Sequence, residues 1–351
     1  MQPQRHVPLA KMTSLAAGGA AETLYTCTTA EECTRVLDGL HDEQLWMLGY
    51  GANVLISDRG LPGVTMLMRS HDIHMEDDLL VCDGGAWWDD VVRYSIDNGW
   101  WGLELMSAIP GGVGAAVVGN IAAYGQAVAS TLRWVEVYDR TLHATRRLNA
   151  EELGLGYRYS LFQTPEFKDL VILRAAFKLS RTPVTELVYQ TAIDIALEIS
   201  ADTDTLDGRR ATILETRRRA GSLWDYRRPD ENMRTAGSFF RNPFVSAEKA
   251  EELMAYDETG RSSELLRKMN LVHGGDQKRV SAAHVLLAAG FQRGQSWGPV
   301  RLHPDHILKI ENTGDASAQQ IYDVAEHIIQ TVRDRLSIEL VPEVRFLGDF
   351  S

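Results

Sequence analysis

The stretch from residue 108 to residue 125 constrains this chain most, because it offers almost no side-chain bulk. It contains five glycines and several alanines around the polar Asn120, and Pro110 and Tyr124 lie near its two ends. Glycine reaches positive-φ conformations and lets backbone N–H groups lie directly against an anion such as a diphosphate. The spacing matches neither G-x-G-x-x-G nor a P-loop. A ligand cradle and a tightly packed turn of small residues both fit this stretch taken alone.

A second glycine loop favours the cradle. The apolar run 45–48 predicts a strand, which leads into Gly49, Gly51 and Asn53 before apolar residues resume at Val54. Backbone amides are exposed where a strand ends in such a turn. Turns of this kind are common, so the loop means little by itself. Two such loops, however, can hold an extended dinucleotide from both sides.

Length, charge and cysteine content narrow the class of protein. The 351 residues exceed the usual size of one hydrophobic core, which predicts two or three domains. No apolar run approaches the ~20 residues of a membrane helix, and residues 1–8 lack the apolar core of a signal peptide, so we expect a cytoplasmic protein without membrane insertion. A net charge of −12 argues against nucleic-acid binding. Cys27, Cys33 and Cys82 lack zinc or redox spacing and are predicted to be reduced.

Two other groups of ionisable side chains carry a weaker signal. Arginines are concentrated between residues 209 and 228, with Arg241 shortly after. In an acidic chain such a cluster indicates either an anion-docking surface or a solvated helix face, and the sequence favours neither. His303 and His306 are separated by Pro304, which predicts a loop, and no further ligand follows at a suitable spacing, so we expect no metal site.

The pattern of apolar residues predicts mixed α and β structure in three parts. These are residues 1–69, joined by a C-terminal strand in 341–351, residues 70–230, and residues 231–340. The predicted strands are 45–48, 63–68, 79–83, 132–139, 170–179 and 338–346, and the predicted helices are 30–40, 87–97, 187–199, 208–220, 246–256, 279–288 and 317–335. The span 185–235 has the least specific pattern.

Three side chains could act together on a carbanion. Ser238 lies between a glycine and two phenylalanines, which suits either a turn serine or a hydroxyl that relays a proton. Arg158, flanked by tyrosines, suits a bidentate carboxylate contact or a surface salt bridge. Glu343 stands in an apolar strand, where it could pair with Arg345 or hold charge near a reaction.

In this order, these pieces resemble the UDP-N-acetylenolpyruvoylglucosamine reductases, the MurB-type flavoenzymes also called UDP-N-acetylmuramate dehydrogenases. The resemblance runs from about residue 18 to residue 348 and is most specific at residues 49–55, 109–125, 237–243 and 341–348. It implies an α+β chain with a two-part FAD-binding α/β fold of the vanillyl-alcohol-oxidase/PCMH flavoprotein type, plus a third, C-terminal substrate-binding α+β domain. FAD and NADPH would be the cofactors.

The resemblance also implies roles for individual residues. Ser238 would be the proton donor, Glu343 would assist it, and Arg158 would contact the substrate and the intermediate. The residues expected to bind the substrate are Arg219, Arg227, Arg241 and Asn242. The residues expected to bind FAD are Gly49, Tyr50, Gly51, Ala52, Asn53, Val54, Ile109, Pro110, Gly111, Gly112, Val113, Gly114, Ala115, Gly119, Asn120, Ala123, Gly125 and Arg345.

The implied reaction is the NADPH-dependent reduction of UDP-N-acetylglucosamine enolpyruvate to UDP-N-acetylmuramate in peptidoglycan precursor synthesis. Hydride passes from FAD N5 to the enolpyruvyl β-carbon, and Ser238 protonates the α-carbon. The partner would be a UDP-sugar, and the chain a monomer or weak homodimer.

The sequence departs from the family pattern at several positions. Tyr159 replaces an aspartate, Gln163 stands where a basic residue is common, and Ala52 replaces a serine. Residues 297–299 replace a small glycine-rich turn. The family pattern also has a lysine before the motif at residues 237–243. No such lysine is identifiable here, and Arg219 or Arg227 could substitute for it. Two alternatives therefore stay open: an FAD-dependent sugar or alcohol oxidase of the same flavin fold, and a catalytically weakened flavin- or nucleotide-binding paralogue.

Overall fold

The computed structural model describes residues 2–229, 233–256 and 277–351, and the chain divides into two compact units. The first unit comprises residues 1–8, 20–52 and 61–232, and the second comprises residues 9–19, 53–60 and 233–351. The second unit therefore recruits two short N-terminal segments, and its main part begins close to the predicted start of a third domain at residue 231. The finer division at residue 69 stays a prediction, because residues 61–232 lie in one unit.

Strands and helices occupy both units. The strands are β1 (Gln4–Pro8), β2 (Ala20–Cys27), β3 (Leu45–Leu48), β4 (Val54–Ile56), β5 (Leu61–Met68), β6 (Ile73–Glu76), β7 (Leu79–Asp83), β8 (Ala122–Ala123), β9 (Gln126–Ala127), β10 (Leu132–Asp139), β11 (Ala144–Asn149), β12 (Leu170–Phe177), β13 (Phe244–Ser246), β14 (Gln277–Arg279), β15 (Ser296–Trp297), β16 (Val300–Leu302), β17 (Ile310–Asn312) and β18 (Arg345–Leu347). The helices are α1 (Ala30–Asp38), α2 (Trp88–Asp97), α3 (Val113–Val118), α4 (Val128–Thr131), α5 (Gln190–Glu198), α6 (Leu206–Arg219), α7 (Ala247–Met254), α8 (Ala282–Ala288) and α9 (Ala318–Leu336). No helix in the described ranges is long and apolar enough to cross a membrane.

The first unit contains two larger sheets. One has the strand order β1-β2-β5-β3, in which β2, β5 and β3 run parallel. The other is antiparallel, with the order β11-β10-β12-β7-β6. Helix α2 packs Trp88, Val91 and Val92 into the same core as the inner face of the second sheet. Burying these apolar residues stabilises the unit and fixes the loops at the strand ends.

The second unit is built around α9. Its N-cap Ser317 accepts from Gln320 N and forms a capping box, and Asp58 accepts from the first two helical amides, Ala318 N and Gln319 N. The apolar face of α9 packs in a core with the β15-β16-β17 sheet and α8. Strand β18 pairs in parallel with β4, and both strands lie in the second unit. That the C-terminal strand completes a domain of residues 1–69 stays a prediction.

Most predicted elements lie where the sequence places them, but the last strand is shorter. The sequence predicts it over 338–346, whereas the ladder covers only β18. Ile338 and Leu340 are buried in the core of the second unit but lie outside any strand. Their apolar side chains therefore reflect packing in the core, which the sequence pattern alone does not distinguish from a strand. Pro342 has no N–H to donate to a ladder, which explains why regular pairing starts after it. Cys27, Cys33 and Cys82 are all buried and free, as predicted.

Candidate cofactor and substrate site

The two glycine loops lie side by side in the first unit. Tyr50, in the loop that follows β3, donates its hydroxyl to Gly85 O at 2.9 Å. A Cβ added to Gly112 would lie 3.4 Å from the Tyr50 ring, and one added to Gly49 would lie 4.0 Å from Ala115 Cβ. These are ordinary van der Waals distances, so the two loops pack against each other, and the tighter contact of a Cβ at Gly112 would be with Gly84 O at 3.3 Å.

Residues 108–125, which we call the glycine-rich segment, also have backbone N–H groups that are available to a ligand. Gly111 has φ +132°, and no described atom lies within 4 Å of a Cβ added there. Within the described residues, the N–H groups of Gly111 and Gly112 donate to no other group. Open space at Gly111, together with two adjacent glycine amides that have no acceptor within the protein, is an arrangement that suits a diphosphate, so these residues fit FAD.

Charged side chains bond to the backbone of Ala108, the first residue of this segment. Asp89, on α2, accepts from Ala108 N at 2.6 Å and forms a bidentate pair with Arg210 at 2.8 and 2.7 Å. Arg217, on α6, donates to Ala108 O at 3.1 Å and to Ser222 O at 2.9 Å. Burial alone would raise the pKa of the Asp89 carboxyl, but its bonds to Arg210 and to the Ala108 amide hold that pKa below its ordinary value.

Asn120 fixes the end of α3 through its side chain. Its Nδ2 donates to Gly156 O at 2.7 Å, and its Oδ1 accepts from Ala129 N at 2.9 Å. The residue has φ +39°, a conformation that asparagine tolerates better than most residues. These two bonds use the amide within the protein, so the side chain organises the segment and any contact with FAD would come from the backbone.

Arg158 extends from a turn that is tied to the same segment. It has φ +52°, and its Nη1 donates to Ala122 O at 3.1 Å. Gln163 Nε2 donates to Val118 O at 2.8 Å and to Arg158 O at 3.1 Å. Gln163 therefore anchors the turn through two carbonyl groups, while Tyr159 is 37% exposed beside it.

Ser238 and Glu343 lie on adjacent, hydrogen-bonded segments of the second unit. The Phe239 N–H donates to Leu308 O at 2.7 Å, and Phe239 O accepts from Glu343 N at 2.7 Å. Arg241 N donates to Val341 O at 2.9 Å, next to an antiparallel bridge between Phe240 and Pro342. We call the three hydrogen-bonded segments 235–241, 307–311 and 341–345 the Ser238 wall. Phe239, buried in the core, fixes the wall in place.

Asn53, at the end of the glycine loop that follows β3 (the strand-end loop), hydrogen-bonds to Glu343. Its Nδ2 donates to Glu343 O at 3.0 Å, and its O accepts from Arg345 N at 3.1 Å. The side chain of a predicted cofactor residue thus positions the backbone of a predicted catalytic residue. Both bonds lie within the second unit.

Comparisons with known proteins agree with this architecture. The family model described as the UDP-N-acetylenolpyruvoylglucosamine reductase C-terminal domain matches residues 228–347, and that of an FAD binding domain matches residues 21–141. The UDP-N-acetylenolpyruvoylglucosamine reductase of Thermobifida fusca (strain YX) is 32% identical, over 98% of this chain and 98% of that protein. The chain belongs to this reductase family.

Further relatives of the reductase family span nearly the whole chain. The enzyme of the same name from Salinispora arenicola (strain CNS-205) is 31% identical over 98% of this chain and 95% of its own length. The crystal structure of UDP-N-acetylenolpyruvylglucosamine reductase (MurB) from Thermus caldophilus is similar with a TM-score of 0.64, at 23% identity, over 99% of this chain and 100% of that one. That likeness supports the fold, including the FAD-binding α/β part and the C-terminal domain.

The predicted substrate residues of this reductase-family chain have varied surroundings. Arg219 pairs with Glu198 and Glu215 on the surface, and Arg227 pairs with Asp90 and Asp225. Their roles in binding a substrate stay predictions. Neither donates to the glycine-rich segment in the described structure.

Arg241 and Asn242 lie next to the Ser238 wall. Asn242 Oδ1 accepts from Ala282 N at 2.9 Å and so supports the start of α8. Desolvation, followed by the charge of Arg241, lowers the pKa of Arg345. The roles of Arg241 and Arg345 in binding a substrate or cofactor stay predictions.

Several functional candidates escaped the sequence reasoning. Arg210, Arg217 and Asp89 hold the glycine-rich segment, yet the arginine cluster gave no indication of which members face inward. Arg69 lies 4.2 Å above the Tyr50 ring and donates to Gly49 O at 2.7 Å. Helical spacing of Arg210 and Arg217 around the buried Ile213 was the one available signal.

Proposed function

We propose that this protein catalyses the NADPH-dependent reduction of UDP-N-acetylglucosamine enolpyruvate to UDP-N-acetylmuramate, a step of peptidoglycan precursor synthesis. One observation carries the proposal: the Phe239 peptide group bonds to Leu308 on one side and to Glu343 on the other, which holds Ser238 and Glu343 on adjacent segments. A hydroxyl and a carboxyl group carried on adjacent, hydrogen-bonded segments are suited to delivering one proton at a defined place.

FAD would be held mainly by the backbone of the first unit. The amides of Gly111 and Gly112 are available for its diphosphate, and the strand-end loop lies against Gly112 through Tyr50. When bound, FAD supplies the transfer of a hydride from NADPH to the enolpyruvyl β-carbon. The protein supplies orientation, charge and the proton.

Ser238 would deliver that proton to the α-carbon of the substrate. Its O–H bond breaks as the new C–H bond forms, and the carbon–carbon double bond becomes a single bond carrying the added hydride and proton. Glu343 would hold charge near the hydroxyl, and Arg158 would pair with the substrate carboxylate through its planar guanidinium group. Negative charge developing on the substrate during reduction would then have a cationic partner.

The other expectations follow from this activity. The substrate partner would be a UDP-sugar, and a nucleotide sugar and NADPH are both available in the bacterial cytoplasm. Arg219, Arg227, Arg241 and Asn242 are proposed substrate contacts, and Arg345 a proposed cofactor contact. We propose a monomer or weak homodimer in solution.

An anaerobic visible spectrum of the purified protein tests the proposal. Flavin bands should bleach on addition of NADPH and return on addition of UDP-N-acetylglucosamine enolpyruvate. Bands that NADPH cannot bleach would contradict the reductase activity while leaving flavin binding intact. Bleached bands that return only with oxygen would favour an oxidase, and tight substrate binding without turnover would favour a weakened paralogue.

A further inference from the structure

Four aromatic side chains of the first unit cluster at the strand-end loop, and the proposed chemistry has used only one of them. The ring centroid of Tyr226 lies 4.4 Å from that of Tyr50 and 5.0 Å from that of Trp87. Trp224 lies 6.1 Å from Trp87, and Tyr50 and Trp87 meet edge-on at 4.7 Å. Tyr50 belongs to the loop expected to bind FAD. The cluster therefore joins that loop to residues 222–227, which we call the aromatic strap.

The aromatic strap is hydrogen-bonded to the first unit at both of its ends. Arg217, on α6, donates to Ser222 O at 2.9 Å and to Ala108 O at 3.1 Å. One guanidinium group thus joins the start of the strap to the first residue of the glycine-rich segment. At the other end, Arg227 pairs with Asp90, on α2, at 3.2 Å. These two attachments fix the path of the strap, so that its rings are held against the loop.

The backbone places the aromatic cluster at Gly112. Trp87 and Gly112 lie opposite each other in an antiparallel bridge, and residues opposed in this way project from the same face of the pair. A Cβ added to Gly112 would lie 3.4 Å from the Tyr50 ring, which agrees with this placement. The Gly112 N–H is one of the two amides that suit the diphosphate of FAD. The rings therefore lie at the edge of the proposed cofactor site.

Tyr50 is held by three groups, and Tyr226 is the most exposed of them. Tyr50 itself is only 4% exposed, with Arg69 4.2 Å above its ring. Arg69 follows β5 and Trp87 is the N-cap of α2, whereas Tyr226 lies outside any helix or strand and is 38% exposed. Removing the Tyr226 ring would thus uncover Tyr50 and leave the other two contacts in place.

We infer that Tyr226 and Trp224 are positioning residues for FAD, which hold the strand-end loop against Gly112 and so slow the release of the bound cofactor. The inference rests on the proposed function for the identity of that cofactor. Aromatic contacts at these separations stabilise a structure beyond the effect of the area that they bury, and Tyr226 makes two of them. Its ring acts through Tyr50, and neither ring is required to touch FAD.

Tyr226→Ala removes one ring at a partly exposed position. We expect FAD to dissociate roughly tenfold faster from this variant. Trp224→Ala should have a smaller effect, about two- to threefold, because Trp224 lies farther from its partner. Tyr226→Phe keeps the ring and should release FAD within about twofold of the wild-type rate. The rise in flavin fluorescence after dilution of the FAD-loaded protein measures release without NADPH or substrate.

These variants can also overturn the inference. Wild-type release from Tyr226→Ala would show that the ring does not retain FAD. Release from Tyr226→Phe as fast as from Tyr226→Ala would assign the effect to the hydroxyl and not to the stacked ring. The thermal midpoint of the FAD-free protein should fall by less than about 3 °C in Tyr226→Ala, and a larger fall would indicate a general structural role instead.

Tyr256→Ala is the matched control, since Tyr256 is a tyrosine of the second unit that is 42% exposed. Release of FAD from this variant should equal that from wild type. An increase as large as that of Tyr226→Ala would show that truncating any exposed tyrosine suffices, and would overturn the inference.

Combining Tyr226→Ala with Tyr50→Leu decides how Tyr226 acts. If it acts through Tyr50, the double variant should release FAD within about twofold of the rate of Tyr50→Leu, and full additivity would overturn the inference. If Tyr50→Leu does not fold, the comparison of Tyr226→Ala with Tyr226→Phe decides. Wild-type protein that retains FAD but is not reduced by NADPH would contradict the proposed function alone, whereas wild-type protein that binds no FAD would overturn both.

Discussion

The glycine-rich segment of the first unit and the Ser238 wall of the second unit differ in which part of the chain they present to a ligand. The segment presents backbone amides and open space, and the side chains around it, such as Asp89 and Asn120, are bonded to backbone groups. The wall presents side chains, and backbone hydrogen bonds through Phe239 hold them in place. In one region side chains position the main chain, and in the other the main chain positions side chains.

This difference predicts which changes each region tolerates. A region in which backbone approaches backbone closely tolerates an added atom poorly, as at Gly114, where an added Cβ would lie 3.2 Å from Gly84 O. A side-chain-built wall fails when a functional group is removed, while its packing stays intact. Added bulk should therefore affect folding and FAD binding, whereas truncation in the wall should affect rate.

The largest effect is expected for Ser238→Ala. Loss of a general acid lowers a rate by about 10²- to 10⁴-fold, so reoxidation of reduced flavin by the enolpyruvyl substrate should fall by that factor. Flavin reduction by NADPH should stay within about twofold, because no proton from Ser238 is needed there. Anaerobic stopped-flow absorbance measures the two half-reactions separately.

Ser296→Ala, at an exposed position on β15 of the same unit, is the control. It should leave both half-reactions unchanged. Equal slowing of the two half-reactions by Ser238→Ala would mean that the serine supports the structure, and the contrast between the two regions would then be lost.

Gly85→Ala should give the next largest effect. An added Cβ would lie 2.7 Å from Ser70 N and 2.9 Å from Met68 C, both backbone atoms, and Tyr50 bonds to the Gly85 carbonyl. We expect a loss of about 2–3 kcal/mol in the free energy of unfolding and weaker FAD binding. Denaturant unfolding and flavin titration measure the two effects.

Gly314→Ala is the matched control, since no described atom lies within 4 Å of a Cβ added there and its φ is not positive. Its stability should stay within about 0.5 kcal/mol of wild type. If Gly85→Ala were equally mild, close backbone approach would not be what the glycines of the first unit provide.

Arg210→Met tests whether charges around the glycine-rich segment act on structure. The side chains of Arg210 and Asp89 are 11% and 17% exposed, and removing one partner of such a pair leaves the other uncompensated, at a cost of about 2–3 kcal/mol. The pKa of Asp89 is lowered in the folded protein, so its contribution to stability is present above about pH 4 and is lost as pH falls through the lowered pKa.

The difference in unfolding free energy between wild type and Arg210→Met should therefore be largest near neutral pH and shrink below about pH 4. Denaturant unfolding at several pH values measures it. Arg218→Met is the control on the same helix, because its pair with Glu215 lies in solvent and should contribute little to stability. A loss of rate without loss of stability in Arg210→Met would instead indicate direct ligand contact.

The sequence was sufficient for features that depend on near neighbours along the chain. Apolar periodicity located β3, α1 and β10 almost to the residue, and in the structure α1 begins after Thr29, whose side chain accepts from Glu32 N. Runs of small residues indicated both glycine loops, and the short motifs around Ser238 and Glu343 indicated the family. Each of these signals lies within a few residues, so no knowledge of the chain path was required.

Only the tertiary structure shows which residues far apart in the sequence bond to one another. Asn53 and Glu343 are 290 positions apart and share a hydrogen bond, and Asp89 meets Arg210 across 121 positions. Which arginines face inward, and that Lys309 is buried, depend on how strands pair and helices pack. The local sequence pattern predicts helices and strands, because it reflects backbone geometry. The partners of a buried charge depend on residues from the whole chain, because those residues together exclude water from it.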